Sequence, residues 1–285
     1  MNENKKPKKP LFITNLLIGG ISGVVSRTFT APLELKKIQL QNKYMPNTTF
    51  REVIKKEGLK GLWKGNYINC IRIFPQTAIN YAFFQLSKNN IFSKTLIIKN
   101  NTNLTNFLSG TVGGIVSMTA VYPLENIRSR FALQTNKNHY TSIIDVFRKT
   151  PLPQLYNGLR MSLLGFAPYN SLNFMFYNYF RKKYWKENEI YAVAYQLFYG
   201  GLAGCLSVSF TYPTDLIRRR LQLQGFDTNV PKYDGIKDCI RKIYKSEGII
   251  GFYRGLGACY IKIIPAVGIQ FYVIEQLKYF NYKFI

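Results

Sequence analysis

Three short segments share one pattern at almost equal intervals: PLELKK from Pro32, PLENIR from Pro123 and PTDLIR from Pro213, 91 and then 90 residues apart. In each, an acid stands two residues after the proline (Glu34, Glu125, Asp215) and a base five after it (Lys37, Arg128, Arg218). One Pro-x-acid-x-x-base motif is weak. Three in register require a structural unit used three times, each copy burying its apolar face against the next. Glycines stand thirteen and nine residues before each proline: Gly19 and Gly23, Gly110 and Gly114, Gly200 and Gly204. Such a GxxxG pair strips side chains from one face of an apolar helix, so that a neighbouring helix approaches closely. Downstream, Gly65, Gly158 and Gly255 follow an aromatic residue (Trp63, Tyr156, Tyr253) and precede Pro75, Pro168 and Pro265 by ten residues. Each repeat therefore holds two helices, and the three copies are expected over 1–95, 96–188 and 189–285.

The intervals between motifs are apolar and nearly uncharged. The runs Leu11–Ser26, Ile73–Ser87, Leu104–Tyr122, Met161–Phe180 and Ile190–Thr214, with a shorter one after Lys262, approach the ~20 residues that cross a bilayer core. Polar residues recur inside them (Asn80, Asn170, Asn173, Gln196, Gln270), which suits helices lining a wet cavity and accounts for a mean hydropathy of only −0.10. The expected fold is an all-α membrane protein: six transmembrane helices in three tandem two-helix repeats with pseudo-threefold symmetry. The amphipathic stretches Thr48–Lys56, Tyr140–Lys149 and Tyr233–Tyr244 are expected to lie along the membrane surface, where their lysines and arginines can hold anionic lipid headgroups.

A net charge of +25 calls for anionic partners. The basic residues fall between apolar spans and form no continuous soluble stripe, so a membrane and a charged solute are expected and nucleic acid is not. No paired catalytic carboxylates, nucleophile-base set or Walker loop appears, so an enzyme is not expected. Cys70, Cys205, Cys239 and Cys259 have no CxxC spacing and His139 is the only histidine, so these residues are assigned structural roles, with no metal or cofactor. The basic start MNENKKPKKP lacks a small-residue cleavage site and runs directly into the first repeat, which argues against a secretory signal.

Prolines inside membrane helices remove a backbone hydrogen bond and bend the chain, so Pro32, Pro123 and Pro213 should bring the charges after them together. An isolated charge in a membrane costs at least ~2.5 kcal/mol, so the three acids and three bases must pair. Pairing between neighbouring repeats makes a closed ring that can break when a solute binds above it, which is a gate. Cations beyond the ring then require an anion from elsewhere. Arg72 and Lys262 occupy equivalent positions in repeats one and three, where repeat two has Gly165. Arg27 has uncharged counterparts Met118 and Val208. Asymmetry of this kind in a symmetric scaffold marks a solute site.

The triple motif, together with EGLKGLWKG (Glu57–Gly65) and EGIIGFYRG (Glu247–Gly255), resembles the signature of the mitochondrial carrier family over nearly the whole chain. The resemblance implies a barrel-like bundle in the mitochondrial inner membrane, with both termini cytosolic and the ring of Glu34, Lys37, Glu125, Arg128, Asp215 and Arg218 as a matrix-side gate. It also implies alternating access, a monomeric protein and bound cardiolipin. Gln41 and Gln222 match the family's gate braces, whereas repeat two has Ala132 there and TPLPQLYNG (Thr150–Gly158) without the Glu-Gly pair, so its surface helix is expected to be less well anchored. The solute-facing positions it implies are Arg72, the Gly165–Phe166 pair and Lys262, and with Arg27, Asn80 and Tyr169 these make up the expected solute-binding set.

Glycine followed by an apolar residue at Gly165–Phe166 resembles carriers of adenine nucleotides and related molecules, with room for a flat base beside the glycine and two cations for phosphates. GNYINCIRIFPQTAINYAF (Gly65–Phe83) looks like the ADP/ATP carriers. RRRLQLQ (Arg218–Gln224) with YIKIIPAVGIQF (Tyr260–Phe271) looks closer to the coenzyme A and ATP-Mg/phosphate carriers. A carrier of a carboxylate, keto acid or amino acid is the alternative. The family's cytosolic gate maps to Gln85, Lys88, Asn178, Arg181, Glu275 and Lys278. Only one of its three acids is present, so the protein is expected to rest open to the cytosol.

Overall fold

The computed structural model describes residues 12–44, 47–92, 102–134, 140–184, 189–226 and 230–284. His139 lies outside the described residues, as do the side chains of Gln196 and Lys278. Six long helices follow one another: α1 (Phe12–Gln41), α3 (Asn66–Leu86), α4 (Thr102–Leu133), α6 (Leu159–Tyr184), α7 (Glu189–Leu223) and α9 (Leu256–Phe284). Three short helices join the members of each pair: α2 (Phe50–Glu57), α5 (Ile143–Lys149) and α8 (Ile236–Glu247). Among the described residues there is no strand.

The long helices outrun the apolar stretches because each continues through its proline into the charged segment. Pro32 has no N–H to give to the Thr28 carbonyl, one turn back, and the indole Nε1 of Trp63 donates to that carbonyl at 2.8 Å instead. The helices pack in chain order as a closed ring, with the most extensive contacts between repeats: α3 with α4, α6 with α7, and α9 back onto α1. Among the described residues two stretches, Leu104–Leu133 and Ile250–Leu277, are long and apolar enough by composition alone to cross a membrane. The other long helices carry polar residues on their inner faces. Phe29 and Phe210, each three residues before a motif proline, are 69% and 66% exposed, as expected for side chains that meet lipid.

Only half of each glycine pair is used as expected. A Cβ on Gly23 or Gly204 would touch Ile73 or Ile263 at 3.5 Å, and one on Gly114 would strike the ring of Phe166. Around Gly19, Gly110 and Gly200 nothing lies within 4 Å. Close contact therefore falls at the second glycine of each pair, and beside the pairs at Gly20 against Phe74 and Gly113 against Asn80, while the first glycines, nearer the starts of α1, α4 and α7, meet nothing. At the opposite end two apolar clusters seal the bundle, one around Ile38, Ile127, Val146, Leu155 and Leu223, the other around Tyr212, Leu216, Cys239 and Ile243. Burial pushes the Cys239 thiol up to about 12, which fits its packing role.

The surface helices are capped locally. Thr49 and Glu52 form a reciprocal capping box at α2, and the Ser142 hydroxyl accepts from the Asp145 amide at α5. Hydrogen bonds from Lys149 and Lys242 hold the Asp145 and Asp238 carboxyls below the ordinary aspartate range. Gly58 and Gly248, both with positive φ, end α2 and α8. Repeat two has neither and ends α5 at extended Thr150. Its anchorage comes from α4 instead: Arg130 Nη1 donates to the Tyr140 hydroxyl at 3.1 Å and Gln134 Nε2 to the Tyr140 carbonyl at 3.0 Å.

Candidate functional site

The motif charges meet at the sealed end. Lys37 Nζ lies 2.7 Å from Asp215, Arg128 Nη2 lies 3.0 Å from Glu34, and Arg218 Nη2 lies 3.9 Å from Glu125. Each base reaches the acid of the repeat before it, so three ion pairs close a ring across α1, α4 and α7. Two of its seams are braced. Gln41 Nε2 donates to Asp215 Oδ2 and to the Tyr212 hydroxyl, both at 3.2 Å. Gln222 Nε2 donates to the Tyr122 hydroxyl at 2.9 Å. The tyrosines in turn donate to the carbonyls of Arg254 (2.8 Å) and Asn157 (3.1 Å) and stack on Tyr253 and Tyr156. At the third seam both partners are missing together: Ala132 replaces the glutamine and Ala31, before Pro32, the tyrosine.

Two expectations about the surplus cations need correction. Arg72 and Lys262 are not left without protein partners. Arg72 pairs with Glu125, and Lys262 Nζ lies 2.6 Å from Glu34. Side chains one helix over reach back to the ring acids, a geometry that spacing along the chain does not reveal. Arg27 does lack a carboxylate among the described residues. Its Nη1 donates to Asn69 Oδ1 at 2.9 Å, which also accepts from Arg72 Nη2 at 3.3 Å. A fourth base, Arg219, is almost wholly buried beside the ring and binds Ser129, Gln222 Oε1 (2.8 Å) and Glu125 (3.7 Å). The run Arg218–Arg220 was its only signal. Arg220 leaves the ring for Glu247 of the surface segment, at 2.7 Å.

Above the ring lie connected hollows. One, of about 300 Å³, is lined by Arg27, Lys37, Arg72, Arg128, Arg218, Arg219 and Lys262, with Glu34 and Glu125. A second, of about 260 Å³, shares Lys37, Met118, Arg218 and Lys262 with it and is completed by Met161, Ser162, Gly165, Phe166, Tyr169, Val208, Thr211, Tyr212, Thr214, Asp215, Cys259 and Ile263. A third, of about 340 Å³, shares Arg27 and Gln76 with the first and runs past Asn80, Tyr81 and Phe84. Across the first two hollows seven cations thus surround three ring carboxylates, an excess of four positive charges, and the second hollow adds an apolar patch of Met118, Met161, Phe166, Val208 and Ile263. Cys259, assigned a structural role from its spacing, also lines that hollow.

The role given to Gly165 needs widening. A Cβ there would lie 2.5 Å from Thr214 Oγ1, so the glycine that lines the second hollow also lets α6 and α7 approach. Phe166 packs its ring over Gly114 while lining the same hollow, and Asn80 lies against Gly113 while lining the third.

At the other end lie the residues expected at a cytosolic gate. Gln85 Nε2 donates to Tyr81 of its own helix at 2.9 Å, and Lys88 lies over the Phe84 ring. Asn178, Arg181 and Glu275 are exposed, and Glu275 makes no ion pair among the described residues.

A bundle of six spans with an anion-attracting cavity, closed at one end by breakable ion pairs, is the architecture of a membrane solute carrier. The family model described as mitochondrial carrier protein matches residues 8–95, 99–188 and 191–283. The chain belongs to the mitochondrial carrier family, a family of transporters. It is 32% identical to mitochondrial substrate carrier family protein P of Dictyostelium discoideum, over 97% of each chain. It is 32% identical to the mitochondrial adenine nucleotide transporter ADNT1 of Arabidopsis thaliana, over 93% of this chain and 86% of that one. With the mitochondrial adenyl nucleotide antiporter SLC25A24 of Homo sapiens it shares 33% identity over 92% of its own length and 57% of that protein's.

Proposed function

We propose that this carrier exchanges an adenine nucleotide or a related phosphorylated anion (ADP, ATP, AMP, ATP-Mg with phosphate, or coenzyme A) across the mitochondrial inner membrane by alternating access. The observation that carries this reading is the joining of two unlike features in one cavity: four excess positive charges, and a patch of Met118, Met161, Phe166, Tyr169, Val208 and Ile263. Phosphates suit the first, since guanidinium and ammonium groups bind oxyanions strongly, and a flat heterocycle suits the second. A carboxylate or keto acid would use the cations and leave the apolar patch idle. The resemblance to adenine nucleotide carriers among the relatives points the same way.

The test is a thermal-shift panel on the purified protein in detergent with ADP, ATP, AMP, coenzyme A, phosphate and dicarboxylates. A ligand that binds only the folded state raises the melting temperature, by about 2.7 kcal/mol of stabilisation at a hundredfold excess over Kd. One nucleotide is expected to shift the transition, and Arg27→Ala to reduce the shift. A shift with a dicarboxylate alone discards the nucleotide.

In this reading the ring faces the matrix, the protein works as a monomer with cardiolipin at its surface helices, and it rests open to the cytosol because the ring is intact while Gln85 and Asn178 replace acids of the opposite gate. A single cysteine at Asn80, in a protein otherwise without cysteine, should react with an impermeant maleimide added from the cytosolic side. Labelling from the matrix side only would reverse the assignment.

A further inference from the structure

Two of the ring acids hold cations beyond those that close the ring. Glu34 has Arg128 at 3.0 Å from α4 and also Lys262 at 2.6 Å from α9. Glu125 has Arg218 at 3.9 Å from α7, Arg128 of its own helix at 3.6 Å and Arg219 at 3.7 Å, and also Arg72 from α3. Arg72 and Lys262 stand at the same position of their repeats, and each reaches the acid of the next long helix around the bundle. By the same rule α6 should offer a cation to Asp215, but Gly165 stands there, and Asp215 is held only by Lys37, Arg218 and Gln41. Closing the ring does not require the two extra pairs. They are explained by the cavity's own surplus, since a cation withdrawn from water and left without an anion is costly.

We propose that Glu34 and Glu125 act as built-in stand-ins for the solute's anionic groups, so that this carrier selects solutes with at least two negative charges, able to replace one carboxylate on Lys262 and the other on Arg72. This rests on the reading of the cavity as an anion site. Carboxylates and phosphates are both oxyanions and make the same charge-assisted hydrogen bonds to a guanidinium or ammonium. Exchange of one for the other conserves the number of ion pairs, and neither Lys262 nor Arg72 is left without an anion at any stage. A monoanion can relieve only one of the two cations. The other stays on its carboxylate, and the solute gains half the interaction.

The experiment is a double-mutant cycle on the full chain in detergent, with ADP and malate as probes and dissociation constants read by calorimetry. Glu34→Gln removes the competitor for Lys262, and ADP should bind about tenfold tighter. In a Lys262→Met background the same change should alter Kd less than twofold. Equal effects in both backgrounds, or weaker binding in Glu34→Gln, overturn the proposal. Glu125→Gln with Arg72→Met forms an independent cycle, which decides the matter if Glu34→Gln does not fold. If malate shows the coupling and ADP binds nowhere, the nucleotide assignment fails and the stand-ins remain. If ADP binds without coupling, the nucleotide remains and the stand-ins fail. Lactate, a monoanion, should leave the melting temperature unchanged at concentrations where malate raises it, and a shift equal to malate's removes the requirement for two charges.

Discussion

Lys37→Glu is expected to abolish solute exchange in proteoliposomes, and adding Asp215→Lys to the same molecule to restore part of it. Lys37 and Asp215 meet at 2.7 Å with side chains 8% and 25% exposed, so the single change puts two carboxylates together where solvent cannot separate them. Breaking a buried pair costs about 3–5 kcal/mol, enough to shift the closed ring's population by roughly a thousandfold. Reversing both residues rebuilds the pair with opposite polarity. Gln41 can follow, because its amide presents a donor or an acceptor by flipping. Recovery should be incomplete, since Arg218, 3.1 Å from Asp215, would then face a lysine. Uptake of labelled nucleotide into preloaded vesicles measures all three proteins. Full exchange by Lys37→Glu would mean that this ring is not the gate. A double variant that folds and binds ligand but carries nothing would mean that direct pairing is not what matters.

Gly158→Ala should be among the most damaging glycine-to-alanine changes at the described residues. The residue has φ +87, a left-handed conformation that costs an L-residue roughly 1–2 kcal/mol. Its Cβ would also stand 2.7 Å from the Arg218 carbonyl and 2.9 Å from the Tyr122 hydroxyl. One of these is backbone and the other is held by Gln222 and Ser162, so neither gives way cheaply. A loss of about 3 kcal/mol is expected in thermal unfolding, with strain and displaced contacts adding. Gly110→Ala is the control. It lies inside a helix with nothing within 4 Å, and alanine there should leave stability unchanged or raise it by up to about 1 kcal/mol. Equal destabilisation by both would remove the close-approach argument.

The architecture was legible because it is written three times. Register alone placed the ring residues, and charge balance alone required them to pair. Contacts that depend on how far a side chain reaches from one helix to another were not legible. Nothing in the spacing of Arg72 or Lys262 says that they fold back onto Glu125 and Glu34, or that Thr214 occupies the room beside Gly165. The glycine pairs misled for a related reason: a GxxxG pattern marks a bare helix face but cannot say which glycine meets a neighbour. The tyrosines before Pro123 and Pro213 were visible, as was the alanine before Pro32. Their meaning emerges only once Gln41, Gln222 and Ala132 are seen to be their partners across the bundle.

The four unbalanced positive charges are fixed in the wall, and this bears on what drives the cycle. A wall charge that stays in place while the helices rock contributes nothing to the charge moved between compartments, so the current per turnover is set by the two solutes alone. Solutes of equal charge would exchange without regard to voltage. Unequal ones would be pushed by the membrane potential at about 2.3 kcal/mol per elementary charge for each 100 mV, making the organelle's electrical state, as much as its concentrations, the arbiter of direction.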